Sequence, residues 1–312
     1  MPKLKKAVIV VHREESTKDF EEIARRMRKI DPLIGVAMVS ELLTSNMVSP
    51  EFLQLPLLVI YLCNPPPTEF RVATKLAVKE VSKLEEYEHF KKHNLPCLPI
   101  ERFNWGMGLD PAIYGDWVVL KPENIQSTGK DVNLVPTELI QNLHPLNFPE
   151  DHLIHQDEYF VQKFLKTGKA PVHYRVMIFL DEILYSRVSV SNIPYPETVD
   201  LKTLLTTSVA SNTSDRLVDF FKDNKINQFA LRVAKTFDQA PLFGLDILHD
   251  EISGNLFVLE ANLGGNVWHF SSLHGREKRG VNHALRKAMI LQYYAWDRAA
   301  EALVRKTHEL AR

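Results

Sequence analysis

A mixed α/β chain is what this sequence predicts: a small α/β unit at the N-terminus, then a larger α+β part built on antiparallel strands. Three observations carry the prediction. An apolar strand, an amphipathic helix and a second apolar strand follow one another within residues 1–67. Later stretches, 159–190 and 243–262, alternate into strands and hairpins with the side-chain period of two. Finally, 45% hydrophobic and 25% charged residues over 312 positions is the composition of a soluble globular protein with room for two or three compact units.

Each element follows from local chemistry. "AVIVV" (7–11) reads as a buried first strand; it is shorter than the roughly 7–15-residue apolar core of a secretory signal, and charge follows it at once. "STKDFEEIARRMRKI" is a helix that Ser16 can cap, with Phe20, Ile23, Ala24, Met27 and Ile30 at helical spacing and basic residues in its last turn. The strand "LPLLVIYL" (55–62) runs into "NPPP" (64–67), where neither regular element can continue, so a unit boundary belongs at residue 67. A helix of about 20 residues then ends at "HNLPCLP", and a strand "DWVVLKP" (116–122) precedes the polar loop "ENIQSTGKDVN". "YFVQKFL", "HYRVMIFL" and "ILYSRVSV" read as strands, the last two joined by a turn at Asp181-Glu182. "INQFALRVAKTF" is amphipathic, with Ala230, Val233, Ala234 and Phe237 on one stripe, and the last 30 residues close the chain as a helix.

Charge and cysteine usage exclude several classes. Lys plus Arg (38) balances Asp plus Glu (39), so no global field points to nucleic acid or an anionic membrane, and an anionic ligand must be held by local groups. No apolar run approaches the ~20 residues that span a bilayer. Cys63 and Cys97 give neither a disulfide framework nor zinc spacing; two reduced thiols of a cytoplasmic enzyme are expected.

The chemistry concentrates in "FGLDILHDEISGNLFVLEANLGG" (243–265). Asp246 and Glu260 stand inside apolar runs, where an ionised carboxylate is costly without compensation. A loop at "EISGN" (251–255) sets Asp246 opposite Glu260, and Glu260 and Asn262 share a sheet face. Two carboxylates and an amide oxygen suit Mg²⁺. The alternative is a hairpin whose acids face solvent or pair with Lys or Arg.

This hairpin resembles the metal-binding end of the ATP-grasp superfamily, and upstream pieces follow in the order of its D-alanine–D-alanine ligase and RimK-like branches. "SKLEEYEHFKKHNLPCLP" supplies Lys83 at a helix start, with Ser82 in place of the usual Asp; "VVLKP" supplies Lys121. "STGKDV" occupies the position of the mobile phosphate loop, with Ser127, Thr128 and Gly129, though it carries one Gly only. "VQKFL" resembles the adenine hinge through Gln162, Lys163, Phe164 and Leu165, and "YRVMIF" offers Arg175 for phosphate. The resemblance covers roughly residues 68–270 and implies a two-lobed fold whose antiparallel sheets grip ATP, with lobes at 68–160 and 161–312. It implies Mg²⁺ (or Mn²⁺) on Asp246, Glu260 and Asn262, and Lys83, Lys121 and Arg175 on the polyphosphate. Two departures stand out: no acid follows the hinge to meet the ribose, and "LGGNVWHFSSLHGR" replaces the family's Pro-Gly turn. In that tail His269, Ser271, Ser272, His274 and Arg276 are candidates for substrate contact, Arg276 being counted with Lys121 and Arg175 as catalytic, while Trp268 and Phe270 are expected in the core.

The activity implied is a carboxylate–amine or carboxylate–thiol ligase working through an acylphosphate, on small-molecule or peptide substrates. An ATP-grasp kinase and a non-catalytic ATP-binding module are the alternatives. A homodimer is implied by analogy alone.

Overall fold

The computed structural model describes residues 3–41, 48–63, 70, 74–77, 81–123, 130–196, 200–207, 216–237, 239–264, 267–273, 275–276 and 281–312. Strands β1 (Lys6–His12), β2 (Ile34–Ser40), β3 (Leu57–Tyr61) and β4 (Thr74–Ala77) form a parallel sheet in the order β2-β1-β3-β4. Helix α1 (Thr17–Ile30) lays Phe20, Ile23 and Met27 on one face of it, against Val8 and Val10. Val48, with Phe52 packed alongside, covers Ala7, Ile9 and Val11 on the other face. The chain thus leaves β1 over one face and reaches β3 over the opposite one. Ser16 stands at the cap position of α1 as expected, but its side chain makes no capping hydrogen bond.

Helix α2 (Lys83–Lys92) opens on a capping box, with Ser82 Oγ accepting from Glu85 N at 3.2 Å and Glu85 Oε2 accepting from Ser82 N at 2.8 Å. It has 10 residues, not about 20, because β4 occupies part of the sequence before it and Asn94, at φ 52°, ends it. Next come β5 (Ile100–Arg102), α3 (Pro111–Tyr114), β6 (Trp117–Pro122), β7 (Asn133–Pro136) and β8 (Tyr159–Lys163). Their antiparallel sheet has the order β5-β8-β6-β7.

A third sheet follows, built from β9 (Val172–Phe179), β10 (Glu182–Ser191), β11 (Arg216–Asp219), β12 (Leu242–His249) and β13 (Leu256–Leu263), all antiparallel in the order β11-β10-β9-β12-β13. Helix α4 (Leu201–Thr206) precedes β11, and α5 (Asn224–Ala234) covers the face carrying Val176 and Ile178. The closing helix is two helices, α6 (His283–Gln292) and α7 (Ala295–Leu310), separated at Tyr294, whose φ of 58° no helix interior adopts. Helix α7 packs on α1, and Leu57 N donates to Arg312 O at 3.0 Å, so the C-terminal helix completes the parallel sheet.

Two connections position the site. Residues 96–99 clip the two antiparallel sheets together: Pro96 O accepts from Val258 N on β13 at 2.8 Å, and Pro99 O accepts from Lys163 N on β8 at 2.9 Å. Residues 267–271, just beyond β13, dock on α1. Trp268 and Phe270 are each 1% exposed, in the core as expected. Trp268 Nε1 donates to the buried Asp19 carboxylate at 3.0 Å, as do Ser271 Oγ and Arg286. Both cysteines are free thiols, and no described helix is long and apolar enough to cross a membrane.

Candidate active site

The register places four charged residues in one transverse row. Arg187 on β10 pairs with Arg175 on β9, Arg175 with Asp246 on β12, and Asp246 with Glu260 on β13. Neighbouring strands lie about 4.8 Å apart, so the row reads plus, plus, minus, minus across the sheet. Asp246 faces Glu260 as the sequence predicts, by a different route. The turn spans 250–255, with Asp250 N donating to Asn255 O at 2.9 Å, and the register shift between Asp246 and Ile247 restores the pairing.

The structure gives Asp246 a cation from the chain itself. Arg175 forks it, Nε donating to Oδ1 at 2.7 Å and Nη2 to Oδ2. The side chains are 4% and 6% exposed. Burial opposes the charge on Arg175, but the Asp246 carboxylate outweighs it and raises the guanidinium's pKa. Of the partners open to Asp246 in the sequence, an arginine is the one found here, and Arg175 meets this acid rather than Glu182, which pairs with Arg298 and Arg305. Asn262 Nδ2 donates to Glu260 Oε1 at 2.8 Å and to Asp246 Oδ2 at 3.3 Å, so all three expected metal ligands converge. Among the described residues no three His, Cys, Asp or Glu side chains do so. A hard cation held here therefore depends on the Asn262 amide oxygen and on ligand oxygens, a donor set that fits Mg²⁺.

One pocket joins this corner to the other lobe. Lys83 and Glu86 on α2, Lys121 on β6, Gln162 on β8 and Glu260 line it together. Lys121 Nζ donates to Gln162 Oε1 at 2.9 Å, and Lys83 Nζ to Pro122 O at 2.5 Å. Burial lowers the pKa of both lysines, that of Lys121 to about 8 with the like charge of Lys83 contributing. Glu86 is 8% exposed and accepts from Ala261 N, which fixes α2 to the segment between Glu260 and Asn262. Burial first, and then the Glu260 charge, push its pKa up to about 8.

The remaining expected residues are dispersed. Lys163 Nζ donates to Ile113 O at 2.9 Å, Phe164 packs edge-on against Tyr195 at 5.1 Å, and Leu165 follows β8 half-buried. His269 is buried against the Tyr185 hydroxyl at 3.0 Å, and Ser272 Oγ accepts from Gly275 N. Arg276 is exposed, and its side chain meets no partner among the described residues. Ser127, Thr128, Gly129 and His274 lie outside the described residues.

Two residues were not anticipated. Glu86 belongs to the pocket although its helix reads as ordinary. Arg187 is 4% exposed, yet its Nε and Nη2 are buried with no hydrogen-bond partner among the described residues. Ser189 Oγ, one step along the same face, likewise has no partner among the described residues. Burial lowers the pKa of Arg187 and also that of Arg216 on β11, where the Arg175 charge adds to the effect. The signal in the sequence was the same as for Asp246: a charge placed in the apolar run "ILYSRVSV".

No family model matches the chain, and no curated protein does. Solved structures do. The ATP-grasp ligase PsnB complexed with a minimal precursor, Mg and ADP matches at TM-score 0.51 and 13% identity, over 94% of this chain and 99% of that one. The chain has the ATP-grasp fold. The D-cycloserine synthetase DcsG matches at TM-score 0.50 and 13% identity over 96% of this chain and 99% of that one. The macrocyclase MdnC from Microcystis aeruginosa, bound with its precursor peptide MdnA, matches at TM-score 0.50 and 10% identity over 96% and 99%. At these identities the likeness is one of fold alone.

Proposed function

We propose that the protein is an ATP- and Mg²⁺-dependent ligase joining a carboxylate to an amine or thiol through an acylphosphate, on a small-molecule or peptide substrate. The observation that carries this reading is the charged row Arg187–Arg175–Asp246–Glu260, with Lys83 and Lys121 brought to its acidic end. Lysines serve as point charges for the polyphosphate, and a guanidinium clamps carboxylate or phosphoryl oxygens through its planar fork. Asp246, Glu260 and Asn262 would hold Mg²⁺, which would supply positive charge to offset that of the polyphosphate. Arg187, whose Nε and Nη2 have no partner among the described residues, would hold the carboxylate and the phosphoryl group it accepts. Catalysis is then positioning and electrostatics, and no side-chain nucleophile is required. The name of PsnB as an ATP-grasp ligase agrees with this reading.

The deciding experiment incubates the protein with Mg²⁺, ATP and a fractionated metabolite extract, and quantifies ADP, free phosphate and new masses. A ligase gives equal ADP and phosphate with a product equal to two reactants minus water. A phosphorylated metabolite, with ADP in excess of phosphate, makes it a kinase instead.

Lys121 supplies a second test. Its pKa is lowered to about 8, so its ammonium is present below that pH and is lost as pH rises through it. The KM for ATP should therefore climb above pH 8. Lys121→Ala should raise KM at least ten-fold at pH 7 and flatten that climb; an unchanged KM removes Lys121 from the nucleotide site.

A further inference from the structure

Arg187 stands where its surroundings disfavour it. The register sets it directly across from Arg175, and like charges opposite each other in a sheet are destabilising. Just before it the ladder is irregular, the register shifting between Ile183 and Tyr185. On the other side β10 pairs with β11 only from Val188 onward, opposite Asp219, the last residue of β11. At Ser186 the strand ladders therefore supply one neighbour, β9, while the charge next door pushes the strand away from it. Something else has to hold this stretch.

A side chain does. Gln292 is the last residue of α6. Ser186 N donates to Gln292 Oε1 at 2.9 Å, and Gln292 Nε2 donates back to Ser186 O at 2.9 Å. That is the exchange of two hydrogen bonds by which residues of antiparallel strands meet. Gln292 Nε2 also donates to Phe221 O at 3.0 Å, two residues past the end of β11. One amide thus bridges β10 and the chain leaving β11. Its orientation is fixed, because an N–H needs the oxygen and two carbonyls need the nitrogen.

The Ser186 side chain tightens the same rung. Its Oγ donates to Phe221 O at 2.9 Å, so its one hydrogen is spent. The Tyr293 hydroxyl, 3.0 Å from Ser186 Oγ, is then the donor to it, and it accepts from Asn227 Nδ2 at 2.7 Å. Ser186 lies opposite Val176, on the face that α5 covers, and alternation turns Arg187 to the face of the charged row. The clamp is on the back of the sheet and the guanidinium on the front, one residue apart. Packing alone does not call for an amide here: Met289, one turn earlier on α6, is already buried in the core, and an apolar side chain at 292 would serve it as well.

We propose that Gln292 is a positioning residue for Arg187, its side-chain amide standing in for a strand residue opposite Ser186 and holding the Arg187 guanidinium in the charged row. What Arg187 then does rests on the ligase reading; the positioning is tested without it. The experiment is a double-mutant cycle of urea unfolding on the full chain with Gln292→Leu, Arg187→Met and both together. Gln292→Leu should lower the midpoint. The midpoint shift caused by Arg187→Met should shrink by at least half in the Gln292→Leu background, because a released strand lets the guanidinium turn away from Arg175. Hydrogen exchange at the Ser186 and Arg187 amides should quicken at least ten-fold in Gln292→Leu, while the amides of β12 keep their protection. Turnover should fall at least ten-fold with the KM for ATP within two-fold, and Gln292→Leu should cost nothing more once Arg187 is Met. Gln292→Glu, which has no donor for the two carbonyls, carries the same cycle should Gln292→Leu fail to fold. An Arg187→Met shift of equal size in both backgrounds overturns the proposal and makes Gln292 a structural residue only. So does a turnover loss of the same factor with and without Arg187. A chain with no turnover at all counts against the ligase reading and leaves the unfolding cycle to decide the positioning.

Discussion

Glu260→Gln should reduce turnover about 10³-fold while leaving the fold intact. The carboxylate ends the charged row, its side chain is 34% exposed, and its nearest cation in the row, Arg175 Nη2, is 4.0 Å away. Gln keeps the shape and can still accept from Asn262, so little packing is lost. The metal site, however, drops from two carboxylates to one. Charge stabilisation by a bound ion is worth several kcal/mol, and each 1.36 kcal/mol is ten-fold in rate, which gives the ~10³ expected. Mg²⁺-dependent ATP binding should weaken in parallel. The same substitution has a stability signature. Glu86 is held near pKa 8, far above its unfolded value, first by burial and then by the Glu260 charge. An acid with a raised folded pKa makes the folded state bind more protons, so stability falls as pH rises from about 5 to 8. Removing the Glu260 charge lowers the Glu86 pKa and should make that fall shallower in urea melts. Unchanged turnover would remove Glu260 from the metal site, whatever the melts show.

How far the sequence revealed this site depended on whether the signal was local. The Asp246–Glu260 pairing was legible because alternation fixes which residues share a face, and the bulge altered the turn without altering that pair. Lys83 and Lys121 were legible because each sits at an element boundary, one opening a helix and one ending a strand. Strand β2 escaped because "IGVAMVS" is only partly buried in its middle, unlike the wholly buried β3. The Arg175–Asp246 fork escaped because sequence spacing cannot show that β12 pairs with β9 rather than with β13 alone. The closing helix was read as one because Tyr294 is an ordinary residue in an unusual backbone conformation. Glu86 escaped for the same non-local reason: its partner, Ala261 N, is 175 residues away.

Arg187→Met should make the protein more stable and inactive. Arg187 is 4% exposed in the middle of β10, directly across from the like-charged Arg175, and two of its nitrogens have no acceptor among the described residues. Burial already lowers its pKa, the mark of a charge its surroundings disfavour. Replacing buried ionic groups with apolar ones of similar volume is often neutral or stabilising by ~1–4 kcal/mol, and the unmet donors here place Arg187 toward the favourable end. At about 2–4 °C per kcal/mol for chains of comparable size, the melting temperature should rise by several degrees. Turnover should fall ~10²–10³-fold, the loss that follows removal of one preorganised donor to a developing charge. Arg187→Lys separates charge from geometry: it keeps the cation but loses the fork, so it should recover ATP affinity more than turnover. A destabilised Arg187→Met would mean that the guanidinium braces the sheet. A stabilised but inactive one would mean that the fold carries this buried charge for an anion that arrives only with the substrates, because no described residue accepts from its Nε or Nη2.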